Sequence, residues 1–266
     1  WRRRLPWMVL AALAAAALLA ASLLRRPPAP TGPHPFNNDR NAAWLEHRWL
    51  TEPQTAEDMT AEVRGLAQRG ITYVFPHLIP FDRAGRLPPH DREQMRAFLA
   101  AARAAAPGMR VLPWVGGLRF GYRRTRTGTV LLADLGQRQQ IVAECRGLLD
   151  EGFDGVHLNV EPIANGDDDF LALLRALRPA LGTEGVLSVS ATRPAPVSLP
   201  MTRNFLWTPA YYARVAARVD TLVVMGYDTA LPTRALYERY MAYTAATAAR
   251  TLRPHARARV LIGIRT

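Results

Sequence analysis

Residues 153–162 read Phe-Asp-Gly-Val-His-Leu-Asn-Val-Glu-Pro, and this stretch decides the fold that the sequence predicts. Side chains alternate faces along a β-strand, so the stretch has one apolar face and one polar face. The apolar face carries Val156, Leu158 and Val160, and the polar face carries His157, Asn159 and Glu161. Inward positions of an α/β barrel are usually bulky and branched, and its catalytic residues lie where strands end. Since Pro162 cannot donate to a sheet ladder, we predict a barrel strand that ends at Glu161.

The residues around this strand alternate between strand and helix patterns. Strands are predicted at residues 42–49, 71–77, 110–115, 185–191, 220–227 and 259–264. Helices are predicted at residues 55–69, after a cap at Asp91, and at 134–150, 170–181, 209–218 and 234–252. This alternation predicts a parallel sheet that closes into a (β/α)8 barrel of the TIM type. The sequence ends directly after the seventh strand, so we expect the last βα unit to lie beyond it.

The first 40 residues differ in composition from the rest of the chain. Residues 5–24 carry no charge, are flanked by arginines, and are long enough to span a bilayer. We predict that residues 1–24 are a transmembrane anchor, or alternatively a cleaved signal peptide, because Ala20-Ala21-Ser22 fits a peptidase site. The anchor leaves the barrel membrane-bound outside the cytoplasm, and cleavage leaves it secreted. Residues 25–40 contain five prolines and predict an extended linker, so the barrel domain is residues 41–266.

Composition excludes some classes of protein. The chain has 266 residues, is 49% hydrophobic, and carries a net charge of +12. No basic run is interleaved with aromatic residues, so no nucleic-acid partner is expected. The only cysteine, Cys145, is spaced with apolar residues on one helix face, which predicts a core position without a disulfide. His77 and His90 lie too far from other ligand types to predict a metal site, and no cofactor is expected.

Residues 154–161 resemble the signature of glycoside hydrolase family 18, Asp-x-x-Asp-x-Asp-x-Glu on the fourth barrel strand. Asp154 and Glu161 match its first and last positions. His157 and Asn159 stand where the family has its second and third aspartates, so the motif is degenerate. We predict that Asp154 has a structural role and holds the turn into the strand.

Two further motifs extend this resemblance over residues 110–228. The family carries Ser-x-Gly-Gly after its third strand, and residues 114–117 read Trp-Val-Gly-Gly. The family carries Met-x-Tyr-Asp at the end of its sixth strand, and residues 225–228 match it in full as Met-Gly-Tyr-Asp. The chain is therefore similar to chitinase-like barrel proteins in three motifs that follow the expected strand order.

The resemblance implies hydrolysis of a polysaccharide that contains N-acetylhexosamine, in a cell wall or capsule, with retention at the anomeric carbon. Glu161 would be the general acid, and the acetamido carbonyl of the substrate would replace an enzyme nucleophile. Asn159 would orient that acetamido group, and Tyr227 would donate a hydrogen bond to its oxygen.

Other residues are candidates for binding the sugar. Asp228 would bind hydroxyl groups, and Trp114 and Trp207 are candidate stacking surfaces. Glu46, near the end of the first predicted strand, and His157 could line the same mouth. Each has a structural alternative: Trp114 could fill the barrel, for example, and His157 could be a core histidine whose hydrogen bonds are satisfied.

Two alternatives to this enzyme stay open. The first is a non-catalytic glycan-binding barrel like the chitinase-like lectins, in which the catalytic glutamate is commonly replaced. The neutral Asn159 cannot stabilise positive charge, and a protonated His157 would lower the pKa of Glu161, so the sequence predicts a slow enzyme or none. The second takes residues 159–162, Asn-Val-Glu-Pro, as a variant of the Asn-Glu-Pro of other barrel glycosidases, which needs a nucleophilic glutamate on the seventh strand.

Overall fold

The computed structural model describes residues 41–119, 130–196, 205–252 and 258–264, with six isolated helical positions between residues 7 and 21. Its ten strands are β1 (Asn41–Leu45), β2 (Ile71–Pro80), β3 (Arg110–Val111), β4 (Trp114–Leu118), β5 (Gly155–Glu161), β6 (Val186–Ala191), β7 (Arg193–Pro194), β8 (Leu206–Trp207), β9 (Thr221–Met225) and β10 (Arg259–Gly263). The seven helices described after residue 40 are α1 (Arg48–Thr51), α2 (Ala56–Gln68), α3 (Arg92–Ala105), α4 (Leu135–Asp150), α5 (Asp168–Ala180), α6 (Pro209–Ala216) and α7 (Arg234–Leu252).

The strands form a parallel sheet of the barrel type. Its order is β1-β2-β4-β5-β6-β9-β10, with β3 also paired to β2, and every pairing is parallel. This is the chain order, with helices between the strands, so the predicted α/β barrel is confirmed as a barrel-like sheet. Among the described strands, β1 and β10 are the two edges of the sheet, and the expected eighth unit stays a prediction.

Most predicted elements agree with the structure, and the first strand is the main correction. The prediction ran to Trp49, whereas β1 ends at Leu45 and α1 begins at Arg48. Trp49 and Leu50 are buried as residues of a short helix and not of a strand. The third predicted strand is interrupted by Pro113, which has no N–H for the ladder, and is divided into β3 and β4.

Six of the described helices begin with a side-chain cap. In each, the side-chain oxygen of the cap accepts a hydrogen bond from the backbone N–H three residues later. The caps are Thr55, Asp91, Asp134, Asp167, Thr208 and Thr233. The predicted cap at Asp91 is therefore confirmed. These caps determine the residue at which each helix begins. They therefore also determine where the loop that precedes the helix ends.

The core has two parts, which follow from the alternation of side chains along each strand. The apolar face of β5 is buried between the sheet and the helices, where Cys145 of α4 also lies. A second cluster, built on Phe75, Leu112 and Val223, fills the inside of the barrel. His157 stacks on Phe75 and thus points inward, as the alternation on β5 predicts.

Asp154 holds the start of β5. Its carboxylate accepts a hydrogen bond from the backbone N–H of Val111 at 2.8 Å and pairs with Arg103 and Arg110 at 2.9 and 3.1 Å. Asp220 repeats the arrangement before β9, where it accepts from the N–H of Leu187. The first position of the degenerate motif therefore ties neighbouring strands together at the end of the barrel opposite Glu161.

The predicted anchor at residues 1–24 and the linker at 25–40 lie outside the described residues, apart from the six isolated positions. Of the helices that the structure describes, none is long and apolar enough to cross a membrane. The anchor, the linker and their boundaries stay predictions from the sequence.

Candidate active site

Glu161 is the last residue of β5 and lies at the C-terminal end of the barrel. Its side chain is half-buried. Burial raises the pKa of Glu161 above its ordinary value, and a hydrogen bond from the side chain of Asn159 opposes part of this rise. A carboxyl group with a raised pKa retains its proton at higher pH, which suits a general acid.

Asn159 lies two residues before Glu161 on the same face of β5. An ionised carboxylate only accepts hydrogen bonds, so the amide Nδ2–H of Asn159 is the donor to Glu161. The amide oxygen Oδ1 of Asn159 is buried and has no hydrogen-bond partner among the described residues. A buried acceptor without a partner is costly, so this oxygen is suited to a donor that a ligand brings.

Tyr227 and Asp228 follow the end of β9. Burial raises the pKa of the Tyr227 phenol, and the negative charges of Glu161 and Asp228 raise it further, while Arg193 opposes the rise. Tyr227 therefore retains its proton and can donate a hydrogen bond at neutral pH. Arg193 donates to the carbonyl oxygens of Met225 and Tyr227, which fixes this segment against the barrel.

His157 is fully buried inside the barrel below Asn159. Its Nε2 accepts a hydrogen bond from the indole N–H of Trp44 at 3.1 Å, and an indole nitrogen can only donate. The ring proton is therefore on Nδ1, which lies 2.8 Å from the hydroxyl of Ser188, and Ser190 also donates to Nε2. Burial lowers the pKa of His157 to about 3. His157 is thus a neutral core histidine, and it does not lower the pKa of Glu161 as a protonated ring would.

A cavity of about 1210 Å³ opens beside these residues. Part of its lining is Trp44, Trp114, Asn159, Tyr227 and Asp228. Most of the remaining lining comes from the edge strands β1 and β10 and from α2 and α7, so the cavity is largely the space between the two edges of the described sheet. Four predicted site residues therefore line one cavity, whereas Glu161 is not among its lining residues and is linked to it by the hydrogen bond from Asn159.

Two predicted site residues do not line this cavity, and the structure contradicts the prediction for Trp207. Trp207 is fully buried, donates to the carbonyl oxygen of Ile163 at 2.9 Å, and packs on Tyr211 under the helices. It cannot stack on a sugar. Glu46 lies directly after the C-terminal end of β1, is exposed, and pairs with Arg48 at 3.1 Å, and its place at the mouth stays a prediction.

The sequence prediction missed Trp44, which is one of the residues that line the cavity. Trp44 lies opposite Phe75 in the register of β1 and β2, and Phe75 points into the barrel. The alternation along the first strand could have found it, since Ala42 and Trp44 share a face. No group of three or more His, Cys, Asp or Glu residues in the described part of the chain is arranged to hold a metal ion.

No family model matches the sequence, and no curated protein matches it either. Among solved structures, the C-terminal domain of a putative chitinase from Desulfitobacterium hafniense DCB-2 is similar, with a TM-score of 0.63 and 20% identity, over 86% of this chain and 66% of that one. The spore cortex-lytic enzyme SleL of Bacillus cereus is similar with a TM-score of 0.60 and 17% identity, over 83% of this chain and 50% of that one. A chitinase-like agglutinin from Robinia pseudoacacia has a TM-score of 0.52 and 16% identity, over 70% of this chain and 55% of that one. The chain thus spans from half to about two thirds of the length of these proteins, and the likeness shows that it has the fold of a chitinase-like barrel.

Proposed function

We propose that this chain is a glycoside hydrolase that cleaves β-linked N-acetylhexosamine in a cell-wall or capsular polysaccharide, with Glu161 as the general acid. The observation that carries the proposal is the position and environment of Glu161. It is a carboxyl group with a raised pKa, at the C-terminal end of a central barrel strand, beside Asn159 and Tyr227. The fold shared with a putative chitinase and a cortex-lytic enzyme supports a glycosidase.

The proposed reaction is substrate-assisted and has two steps. In the first, Glu161 donates its proton to the glycosidic oxygen as the bond from that oxygen to the anomeric carbon breaks. The acetamido carbonyl oxygen of the substrate forms the new bond to that carbon and becomes part of a cationic ring. In the second, the Glu161 carboxylate takes a proton from a water molecule that opens this ring, and the configuration is retained. Such reactions are exceptions to the rule of two enzyme carboxylates.

Asn159 and Tyr227 would hold the acetamido group from two sides. The unpaired oxygen of Asn159 accepts its N–H, and the Tyr227 hydroxyl donates to its carbonyl oxygen. The Asn-Glu-Pro interpretation lacks such support, because residues 259–264 contain no carboxylate that could act as the nucleophile.

The rate of such an enzyme depends on two replacements in the motif. The neutral amide of Asn159 does not stabilise the positive charge that develops on the acetamido group, so catalysis is slow. A protonated His157 would lower the pKa of Glu161. Because the buried His157 is neutral, this effect is absent.

A non-catalytic glycan-binding protein is the second candidate. The Robinia agglutinin with the same fold and the two replaced aspartates favour it. The presence of Glu161 favours the enzyme, because a binding protein gains nothing from a carboxyl group with a raised pKa. In either case we propose that the barrel works outside the cytoplasm, tethered through residues 5–24 or released from them.

The test uses soluble oligosaccharides of β-linked N-acetylglucosamine, incubated with the protein between pH 4 and 8. Mass spectrometry detects shorter products, and proton NMR at early times gives their anomeric form. We expect slow release of products that first appear as the β-anomer. Binding without cleavage supports the glycan-binding protein, and an α-anomer as the first product contradicts the substrate-assisted reaction.

A further inference from the structure

Arg193 lies just after β6, and its side chain continues the contact between β6 and β9 beyond the end of their ladder. The last pair of that ladder is Ala191 with Val224. Beyond this pair, Nη1 of Arg193 donates to the carbonyl oxygen of Met225 at 3.4 Å and to that of Tyr227. One guanidinium group therefore holds the main chain at the last residue of β9 and at the tyrosine proposed to bind the substrate.

The segment that Arg193 holds then enters an uncommon backbone conformation. Asp228 and Ala230 have φ angles of 49° and 52°, in the left-handed region that residues with a Cβ atom rarely adopt. Such a conformation costs free energy and persists only where the surrounding contacts determine it. The hydrogen bond from Arg193 to the carbonyl of Tyr227, directly before Asp228, is one of these contacts.

Arg193 is itself held by tyrosines of α6 and α7. Tyr240 of α7 donates to the carbonyl oxygen of Pro194 at 3.1 Å, and its phenol oxygen accepts a hydrogen bond from Arg193. Tyr212 of α6 donates to the carbonyl oxygen of Thr192. The main chain on both sides of Arg193 and the guanidinium group itself are thus fixed, so this half-buried side chain is a rigid support for the segment after β9.

The charge of Arg193 also acts on the side chain of Tyr227. The pKa of the Tyr227 phenol is raised by burial and by Glu161 and Asp228, and the positive charge of Arg193 opposes this rise. Arg193 is therefore close enough to influence both the main chain and the phenol of Tyr227.

Arg178 offers a comparison at the opposite end of the barrel. Its Nη2 also donates to two backbone carbonyl oxygens, those of Gly182 and Gly185, before β6 begins. Arg178 thus ties the chain together with the same chemistry as Arg193, but far from the ends of the strands that carry Glu161 and Tyr227. Its replacement measures what the loss of such a support does to stability alone.

We propose that Arg193 is a positioning residue that holds Tyr227 and Asp228 in the conformation that binds the substrate. This inference rests on the proposed function, in which the Tyr227 hydroxyl donates to the acetamido carbonyl oxygen. Because that oxygen forms the new bond to the anomeric carbon, its position limits the rate, and a misplacement of about 1 Å can cost on the order of a hundredfold. Arg193 belongs to none of the three sequence motifs.

The experiment is a double-mutant cycle between Arg193 and Tyr227, with kcat/KM measured on a tetrasaccharide of β-linked N-acetylglucosamine. Arg193→Met removes the donors and the charge, and should lower kcat/KM by about tenfold or more. Arg193→Lys keeps a charge and donors in a different geometry, so it should recover part of this loss. In the Tyr227→Phe background, Arg193→Met should lower kcat/KM further by less than about twofold, because the hydroxyl that Arg193 positions is already absent. Arg178→Met should lower the thermal midpoint and leave kcat/KM unchanged.

A second measurement needs no sugar. Protein that contains 3-fluorotyrosine gives fluorine NMR resonances from its eight tyrosines, and the resonance that Tyr227→Phe lacks belongs to Tyr227. Arg193→Met should move this resonance, whereas Arg178→Met should leave it in place. If the protein binds the tetrasaccharide without cleaving it, affinity measured by calorimetry replaces kcat/KM in the cycle.

The outcomes separate this inference from the proposed function. If Arg193→Met causes no loss, or an equal loss with and without the Tyr227 hydroxyl, the inference is wrong and the proposed function stands. An equal loss in Arg178→Met also overturns the inference, because the effect then follows from stability. If the unmodified protein neither cleaves nor binds the sugar, the proposed function fails, and an unchanged Tyr227 resonance in Arg193→Met overturns the inference as well. If Arg193→Met does not fold, Arg193→Gln, which keeps a polar amide in this half-buried site, takes its place in every comparison.

Discussion

Asn159 donates a hydrogen bond to Glu161 along one face of β5, while its own amide oxygen is buried without a partner among the described residues. The two side chains thus differ in what they lack. Glu161 has a donor beside it, whereas the amide oxygen of Asn159 can accept from a donor that a ligand brings. This is the arrangement expected if position 159 binds a substrate group and position 161 transfers a proton.

Asn159→Asp should increase the rate of hydrolysis and shift its pH dependence. A carboxylate at this position stabilises positive charge on the acetamido group. It also removes the donor that lowers the pKa of Glu161 and adds a like charge, and both changes raise that pKa. A general acid must be protonated, so the loss of activity on the alkaline side should move to higher pH. The measurement is the rate of oligosaccharide cleavage between pH 4 and 8.

The matched control is Gln139→Glu, which makes the same change from amide to carboxylate at an exposed position of α4, outside the cavity. It should leave the pH profile in place. An unchanged rate and profile in Asn159→Asp would place the acetamido group elsewhere.

The sequence predicted the barrel well because its signals are local and strong. Each strand is a short apolar run, and each capped helix is preceded by an aspartate or threonine whose side chain accepts a hydrogen bond from the first turn. The first strand was predicted too long because the apolar Trp49 suits a strand or a helix. Trp49 and Leu50 are buried by tertiary packing when this segment is a helix. A local sequence pattern does not reveal such long-range packing.

The site was predicted in part, for a related reason. Asn159, Tyr227 and Asp228 lie at strand ends that the motifs mark, and the barrel brings these ends together. Neither Trp207 nor Trp44 belongs to one of the motifs, so only their packing shows which of them lines the cavity. One is covered by Tyr211 and the helices, and the other lies in the cavity.

His157→Gln should reduce the sensitivity of the fold to acid. The pKa of the imidazole is about 3 in the folded protein and near 6.5 when unfolded, so between these values only the unfolded chain binds the proton. The contribution to stability is therefore complete above pH 6.5 and is lost as the pH falls, by about 1.4 kcal/mol per pH unit. Glutamine can accept from Trp44 but does not titrate.

Unfolding in urea between pH 3 and 7 measures this effect as the difference in unfolding free energy between the two proteins. The difference should shrink toward acid pH. The raised pKa of Glu161 acts with the opposite sign and is present in both proteins, so it cancels. Parallel curves over this range would show that His157 is protonated in the folded state as easily as in the unfolded one.

Gly116→Ala should damage both the fold and the site. A Cβ atom at Gly116 would lie 1.8 Å from the backbone oxygen of Asn159, so one of the two strands must move. We expect a loss of about 1 to 3 kcal/mol in unfolding free energy and weaker sugar binding. Gly147→Ala on α4 is the control, because nothing lies within 4 Å of its added Cβ and alanine favours a helix. Equal stability of the two variants would contradict the close contact of β4 and β5.

Glu161→Gln separates the enzyme from the glycan-binding protein. Glutamine keeps the shape of the side chain but has no acidic proton, and general acid catalysis contributes about a hundredfold to ten-thousandfold to a rate. The sugar contacts proposed for Tyr227 and Asp228 do not depend on this proton, so the rate should fall by about a hundredfold or more while affinity changes by less than roughly tenfold. Glu184→Gln, in the exposed turn before β6, is the control and should change neither quantity. If the unmodified protein binds the sugar but never cleaves it between pH 4 and 8, the general-acid role of Glu161 fails and the same cavity is a site for binding alone.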